Sequence, residues 1–510
     1  MVMLGSPPDA AERRFFVPAE YTARQTPEYF EDEVDDDVVH QPDVYAFVSR
    51  LAARAGCTTI IDVGCGRARK LVELGDRYRT IGVDFGSNIE FCRGNYPDSA
   101  WIELDLERMP LQIDRQMAAS AAVVCSDVVE HLGDPTMLLQ SISNLLQYSP
   151  FAVISTPDRS RCRPPGHAGP PDNLAHIREW TLEEFERLLE WAGLTILSIG
   201  RTRSNTASSE RATLVAVVTG ANSPKLEPAP DEFTVQAVMC AFNECDVVVP
   251  VVRRLLDQGV RVHVIDNWSE DETYERLEAL GERALTLERF PSEGPVPTYA
   301  WIPLLLRVEE VAIRSECSWV LFQDADEIRQ TPWPGASLRD GLWLVDRLGY
   351  TAVDHTVVEF HPVDDGFLDG TDPGAHFRFC EFSSKSGHDR EVKAWKNLGQ
   401  RVLLAETGGH EASFSLRRVF PFNFLLRHYP IRSQEHGERK LYRDRVPRWN
   451  QSERQMGWHV QYDDVDSRQS FLRDPAQLLE FDDTSFWTEY LIERLVRMTD
   501  PGAVLMAGRG

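Results

Sequence analysis

Three carboxylates fall within four positions in the stretch FQDADEI, where Asp324, Asp326 and Glu327 follow the apolar run WVLF. Charge stacked at the end of an apolar strand has two readings. It is a solvated turn, or it is a set of hard oxygen ligands for a divalent cation that carries an anionic ligand. A second stretch, IIDVGCGRARK, leads from a β-branched run through Asp62 into Gly64-x-Gly66. Glycines there permit a tight turn whose bare backbone can approach a ligand closely. The dinucleotide fingerprint G-x-G-x-x-G is not met, because position 69 is Arg69. Asp84 ends the next β-branched run, 20 residues past Gly64, where a carboxylate can accept hydrogen bonds from both hydroxyls of a ribose. Asp105 ends a third such run in WIELDLE. Later, VMCAFNECD delivers Asn243 and Glu244, and VHVIDNWSEDET delivers Asp266 and Asn267. Polar groups at the carboxyl ends of adjacent parallel strands surround the crevice where α/β sheets bind ligands.

These residues need strand ends to hold them. From 43 to 219 the runs TTIIDVG, TIGVDF, AAVVCSDV, FAVIST and ATLVAVVTG alternate with helical patterns, which predicts a parallel sheet covered on both faces. TLEEFERLLEWAG reads as a helix with Thr181 as N-cap, Glu184 completing a capping box and Gly193 just past the end. The stretch GANSPKLEPAPDEF has three prolines and no apolar periodicity, which marks a linker. The α/β pattern then restarts with strand TVQAVMCAF, helix DVVVPVVRRLLDQG ending at Gly259, and strands RVHVIDN and SWVLFQ. The expected fold class is therefore α/β in two domains. The divisions are an arm (1–42), a first domain (43–219), a linker (220–232), a second domain (233–445) and a helical extension (446–510). The extension is expected to pack on the second domain or to mediate self-association into a homo-oligomer.

The chain has 510 residues and a formal charge of −26. That length exceeds one ordinary core, and that charge disfavours nucleic acid as a partner. No run approaches 18 apolar residues, so no integral membrane segment is expected. The start, MVMLGSPPDAAERRFF, lacks the basic and apolar parts of a signal peptide. Nine cysteines without a CxxC pair read as reduced thiols, and the expected location is cytoplasmic.

The motifs DVGCG, GVD, LDL, CSDVVEHLGDP and HIREWTLEEFERLLEWAGL, in that order, resemble class I S-adenosylmethionine-dependent methyltransferases with a Rossmann-like sheet. The resemblance covers about 58–219. It implies S-adenosyl-L-methionine as cofactor, with Gly64 and Gly66 along its methionine part beside Asp62. Asp84 would hold the ribose, Asp105 and Leu106 would flank the adenine, and Ser126 to Val128 would form the wall nearest the sulfonium. The family's third loop glycine is Ala68 here. Methyl transfer needs a nucleophile in line with the methyl group and often a base, for which His131 and His176 are the candidates. The Pro/Gly-rich stretch before His176 reads as a lid loop.

In the second half, AFNE, IDNWSEDET and DADE resemble family 2-type glycosyltransferases of the GT-A fold over about 233–445. The resemblance implies a nucleotide-sugar donor and Mn²⁺ or Mg²⁺. Asn243 and Glu244 would lie near the nucleotide, Asp266 on the base, and Asp324 on the ribose or the metal's water. Asp326 would ligate the metal, and His428, in RHYPIRS, would complete its shell. Arg432, Ser433 and Lys440 could meet the diphosphate, while Lys393 and Lys396 read equally as a second basic face and as a solvated one. Sugar transfer needs a carboxylate base, for which Asp364 or Asp365 is chosen, with Glu327 and Glu381 left open. The leading expectation is a bifunctional enzyme that transfers a sugar to a small-molecule or glycan acceptor and methylates the sugar or the acceptor. The alternatives are a glycosyltransferase with a structural methyltransferase domain, and a non-catalytic nucleotide-sensing scaffold.

Overall fold

The structure, a computed structural model, describes residues 15–30, 38–384, 388, 391–455 and 470–496. The chain divides into two units, residues 1–225 with 484–510, and residues 226–483. Among the described residues no helix is long and apolar enough to cross a membrane.

The first unit is built on seven strands: β1 (Thr59–Val63), β2 (Arg79–Asp84), β3 (Ala100–Glu103), β4 (Ala121–Ser126), β5 (Ala152–Pro157), β6 (Leu194–Thr202) and β7 (Thr213–Gly220). Their order is β3-β2-β1-β4-β5-β7-β6. Strands β1 to β5 run parallel, and β7 runs antiparallel between β5 and β6. The parallel expectation therefore fails at ATLVAVVTG, which forms β7. A short connection from β6 to β7 permits only a hairpin, and hairpins are antiparallel. Strands β1, β4 and β7 are buried along their whole length, the mark of a sheet covered on both faces. Helix Leu182–Trp191 carries the capping box, with Glu184 N–H donating to Thr181 Oγ1 at 3.4 Å and Thr181 N–H to Glu184 Oε2 at 2.9 Å. Residues 484–496 belong to this unit rather than to the second, which corrects the placement of that part of the extension. The reason is steric. A Cβ on Gly200 of β6 would lie 2.6 Å from Thr488 O and 2.9 Å from Leu491 Cβ, so the bare glycine lets helix Leu491–Val496 lie directly on β6.

The second unit has two mixed sheets. The first contains β8 (Val235–Ala241), β9 (Val260–Asp266), β10 (Leu285–Arg289), β11 (Trp319–Asp324), β13 (Ala352–Val353) and β16 (Ala394–Lys396), in the order β10-β9-β8-β11-β16-β13. Strands β8 to β11 are parallel, and β16 is antiparallel to β11 and β13. The other contains β12 (Glu327–Gln330), β14 (His355–Phe360), β15 (Phe379–Phe382), β17 (Phe424–His428) and β18 (Leu479–Glu480), in the order β12-β17-β14-β15-β18. The run TAVDHTVVEF is thus two strands of different sheets, divided at Asp354. That carboxylate accepts the backbone N–H groups of His355 and Glu391 at 2.8 and 2.9 Å, which fixes the bend. Trp319 opens β11 with no exposed surface, and its Nε1 donates to Asp346 Oδ1 at 2.9 Å. Trp319→Ala should cost about 3–5 kcal/mol. Urea unfolding should show that loss in one of two transitions, and a shift below about 1 kcal/mol would contradict this packing.

Candidate functional site

In the first unit, the loop after β1 and the tip of β2 form one construction. Gly64 has φ +85°, and a Cβ there would lie 2.3 Å from Val128 Cγ2, so the position admits no side chain. Gly66 N–H donates to Asp84 Oδ2 and Phe85 N–H to Asp84 Oδ1, both at 2.8 Å. Ala68 takes a left-handed conformation with φ +58° and is buried, so the loop accommodates the residue that replaces the expected glycine. Asp62 is fully buried and accepts the Tyr45 hydroxyl at 2.7 Å, which anchors helix Pro42–Ala55 to β1. Burial and the adjacent carboxylate push the Tyr45 hydroxyl well above its ordinary value, so it stays a donor. Asp105 accepts Glu107 N–H at 3.1 Å and pairs with Arg108 at 3.2 Å, while Leu106 is buried beside it. Ser126 Oγ donates to Gln41 Oε1 at 2.7 Å, as does Ser155 Oγ at 2.5 Å.

His131 and His176 come together, with ring centroids 4.8 Å apart. His131 Nδ1 lies 3.0 Å from the Ala175 carbonyl, and burial pushes its pKa down to about 3. His176 is bonded on both nitrogens, by Glu179 at 2.9 Å and by Asn173 at 3.0 Å. The arm before the first strand contributes contacts that the sequence reading missed. Thr22, Arg24 and Glu28 donate backbone N–H groups to Ala168, Ile177 and Leu174 of the loop around His176. Tyr29 packs edge-on against Phe85 at 5.4 Å, and Phe30 lies 4.8 Å from the His131 ring.

In the second unit, a cavity of about 180 Å³ opens at the carboxyl ends of β8, β9 and β11. Its wall includes Glu244, Asn267, Asp324, Asp326, His428 and Lys440. Tyr299, Trp301 and Arg445 also line it and were not singled out from sequence, although an aromatic pair and a basic run (RKLYRDRVPR) were legible signals. His428 reaches Asp326 through sheet register: β12 pairs with β17 so that Glu327 faces His428, and Tyr429 N–H bonds Asp326 O at 2.9 Å.

The carboxylates are held by buried cations. Lys393 Nζ lies 3.1 Å from Asp324, 3.2 Å from Glu327 and 3.2 Å from Glu391. Lys440 Nζ lies 2.7 Å from Asp326 and 3.0 Å from Glu244. Burial raises the proton affinity of Asp326, but Lys440, His428 and Arg432 outweigh it and hold the group well below the usual carboxylate range. Asp324 goes the other way, raised chiefly by burial. Burial lowers the His428 imidazole, but Glu359 and Asp326 more than reverse this and leave it raised. Asp326 Oδ1 and His428 Nε2 lie 3.7 Å apart, a span open to two ligands of one ion, and His428 Nδ1 lies 3.7 Å from Glu359 Oε1; Asp324 is turned onto Lys393.

Several expected roles do not fit. Asp364 and Asp365 lie on an exposed loop outside the cavity wall, spent on Gly366 N–H at 2.8 Å and Gln434 N–H at 2.7 Å. The Asp364 bond is local to its own turn, while the Asp365 bond reaches a segment 69 positions on. Glu327 is tied to Lys393 and Arg329, and Glu381 to His361. Asp266 is fully buried and spent on Ser269, and Asn243 Oδ1 accepts Glu270 N–H at 2.8 Å; neighbouring Asn267 lines the cavity instead. Arg432 is enclosed between Glu244 and Asp246, and Ser433 caps helix Gln434–Arg439, so neither is free for a diphosphate. Lys393 is buried rather than solvated, and Lys396 pairs with Asp346 at 2.8 Å.

Asp326, Glu327 and Glu391 all have folded values below their ordinary 3.8 and 4.5. Their stabilisation is complete above those ordinary values and is lost as pH falls through the lower folded ones. Unfolding midpoints measured from pH 6 to 3 should therefore drop below about pH 4.5. Lys440→Met should cost about 3–5 kcal/mol at pH 6, because it strands buried carboxylates. The gap to wild type should narrow in acid; parallel profiles would contradict the pairing.

Residues 38–199 match a family model described as a methyltransferase domain. Among solved structures, the chain is similar to an S-adenosylmethionine-dependent methyltransferase from Mesorhizobium loti, at 17% identity over 34% of this chain and 94% of that one, with TM-score 0.27. It is also similar to one from Clostridium acetobutylicum, at 12% identity over 36% of this chain and 94% of that one, with TM-score 0.28. No curated protein matches the chain. Residues 38–199 of the first unit thus match a methyltransferase domain.

Proposed function

We propose that the chain is a bifunctional transferase, with S-adenosylmethionine-dependent methylation in the first unit and nucleotide-sugar-dependent glycosyl transfer in the second. The family match covers 38–199 only, so the second activity rests on the crevice and its motifs. The observation that carries it is the cavity in which Asp324, Asp326, Asn267, His428, Lys440 and Arg445 meet at the ends of three parallel strands. Carboxylates beside two cations suit a diphosphate whose charge is shared by a divalent ion and by basic side chains. In this reading Asp326 and His428 would hold Mn²⁺ or Mg²⁺, which supplies charge neutralisation at the leaving diphosphate. Lys440 and Arg445 would steer the phosphates. Tyr299 and Trp301 form an apolar wall on which a base or sugar ring can pack. In the first unit, Asp84 would accept the ribose hydroxyls, and the left-handed Gly64–Gly66 turn would give the methionine part access to bare backbone.

The two halves separate in one experiment. S-adenosylhomocysteine should raise the melting temperature of the full chain, and Asp84→Asn or Gly64→Ala should abolish that shift by about tenfold or more in Kd. A nucleoside diphosphate should give its own shift only with Mn²⁺ or Mg²⁺, and Asp326→Asn should remove it while sparing the first. Nucleotide binding that ignores the metal would sink the metal-dependent mechanism. Nucleotide-sugar turnover that survives Asp326→Asn would sink it equally.

A further inference from the structure

The methyltransferase domain contains a group of side chains arranged as a metal site. Glu130 is fully buried; its Oε2 accepts the Thr156 hydroxyl at 3.0 Å, and its Oε1 has no hydrogen-bond partner. Asp127 lies within side-chain hydrogen-bonding reach of it, takes a left-handed backbone conformation with φ +55°, and likewise has a buried Oδ1 that receives no N–H or hydroxyl donor. Two carboxyls with unpartnered oxygens in contact need a proton or a cation between them, since each ionised oxygen only accepts. Among the described residues neither forms an ion pair with Lys or Arg, in contrast to the carboxylates of the second unit.

The two histidines beside them are oriented from outside. The Ala175 carbonyl can only accept, so His131 Nδ1 at 3.0 Å carries the proton and Nε2 carries the lone pair. Glu179, paired with Arg163 at 2.7 Å, plays the same part for His176, whose Nδ1 lies 2.9 Å away. An imidazole that gives Nδ1–H to a carbonyl or carboxylate is fixed in the tautomer that ligates through Nε2. One ligand atom from each of Glu130, His131 and His176 lies within 4.8 Å of the others. A modest contraction would bring them to about 2.0–2.2 Å from one ion. The Asn173 amide at His176 Nε2 is a neutral donor that an ion would displace.

We propose that Glu130, His131 and His176 bind a divalent transition metal, with Asp127 as the fourth donor, and that the methyl acceptor is a hydroxyl compound that reaches the ion. Two imidazoles and carboxylate oxygen suit Mn²⁺, Fe²⁺, Co²⁺ or Zn²⁺. The two histidines are then ligands rather than bases. A hydroxyl on the ion gives its proton to water more readily. Its oxygen then forms the bond to the methyl carbon, and the C–S bond breaks with its electron pair left on sulfur as a neutral thioether. The use of the ion rests on the methyltransferase reading; its binding does not.

The test titrates chelator-stripped full-length chain with Mn²⁺ by calorimetry and with Co²⁺ by absorption spectroscopy. Wild type and His428→Gln should both bind an ion that Glu130→Gln and His131→Gln lose. Glu179→Gln should weaken it by about 10–100-fold through the His176 orientation. Co²⁺ should show the intense d–d bands of an imidazole-ligated, low-coordinate ion. Isotherms for Glu130→Gln that match wild type overturn the proposal, as does a Co²⁺ spectrum like that of the aqueous ion. The S-adenosylhomocysteine melting shift, measured on the same variants, reports whether they fold. If that shift is absent in wild type while Mn²⁺ still binds at Glu130, the methyltransferase reading falls and the metal site stands.

Discussion

A carboxylate at the end of a buried strand persists as an anion only if something donates to it, and most of this structure can be understood as the supply of those donors. Asp84 takes them from the backbone of its neighbour loop, at Gly66, and from Phe85. Asp62 takes one from Tyr45. In the second unit the donors are cations: Lys393 serves Asp324, Glu327 and Glu391, and Lys440 serves Asp326 and Glu244. Desolvating an unpaired ion costs several kcal/mol, so each of these segments must be in place before its carboxylate can be charged.

That requirement ties remote parts of the second unit to one crevice. Such pairs add little net stability over an apolar alternative, because the cations are desolvated too. What they provide is selection among arrangements. If β17 slipped by one residue against β12, His428 would no longer face Glu327, and alternate side chains would change faces. A π-helical turn at Lys440–Arg445 follows helix Gln434–Arg439, and both Lys440 and Arg445 line the cavity. Irregular helical turns of this kind recur where a side chain must be re-aimed toward a site.

The same requirement decides what could be read in the sequence. Local constructions were legible: the Gly64–Gly66 turn with Asp84, the Thr181–Glu184 capping box, and the strand ends before Asn267 and Asp324. Each depends on neighbours within a few positions, or on a strand pattern with period two. Partnerships that span the chain were not. In EVKAWKN, Lys393 read equally as a second basic face and as a solvated one, because its partner Asp324 is 69 positions away. Lys440 and Glu244 are 196 positions apart, and Arg432 and Asp246 are 186 apart. Asp364 and Asp365, chosen as candidate bases, lie outside the cavity wall. A glycine-rich acidic loop carries the same residue types as a catalytic loop, and only the fold shows Asp364 bonded within its own turn and Asp365 bonded to Gln434 N–H. Strand LTILSIGRT was missed between a conspicuous helix and a conspicuous strand, although Gly200 within it is what seats the C-terminal helix.

The exception to this supply of donors is in the first unit. Glu130 is fully buried and Asp127 is half-buried beside it, yet neither forms an ion pair with Lys or Arg among the described residues, and a buried oxygen of each receives no N–H or hydroxyl donor. Burial raises the proton affinity of both, and their mutual contact raises Glu130 further. A shared proton would satisfy the pair and nothing else. It would not explain why His131 and His176, on either side of a 4.8 Å ring contact, are each held from behind by an acceptor at Nδ1. Two unprotonated Nε2 atoms beside two carboxylate oxygens without N–H or hydroxyl donors form a surface of acceptors met only by the Asn173 amide at His176 Nε2, and such a surface inside a protein favours a cation.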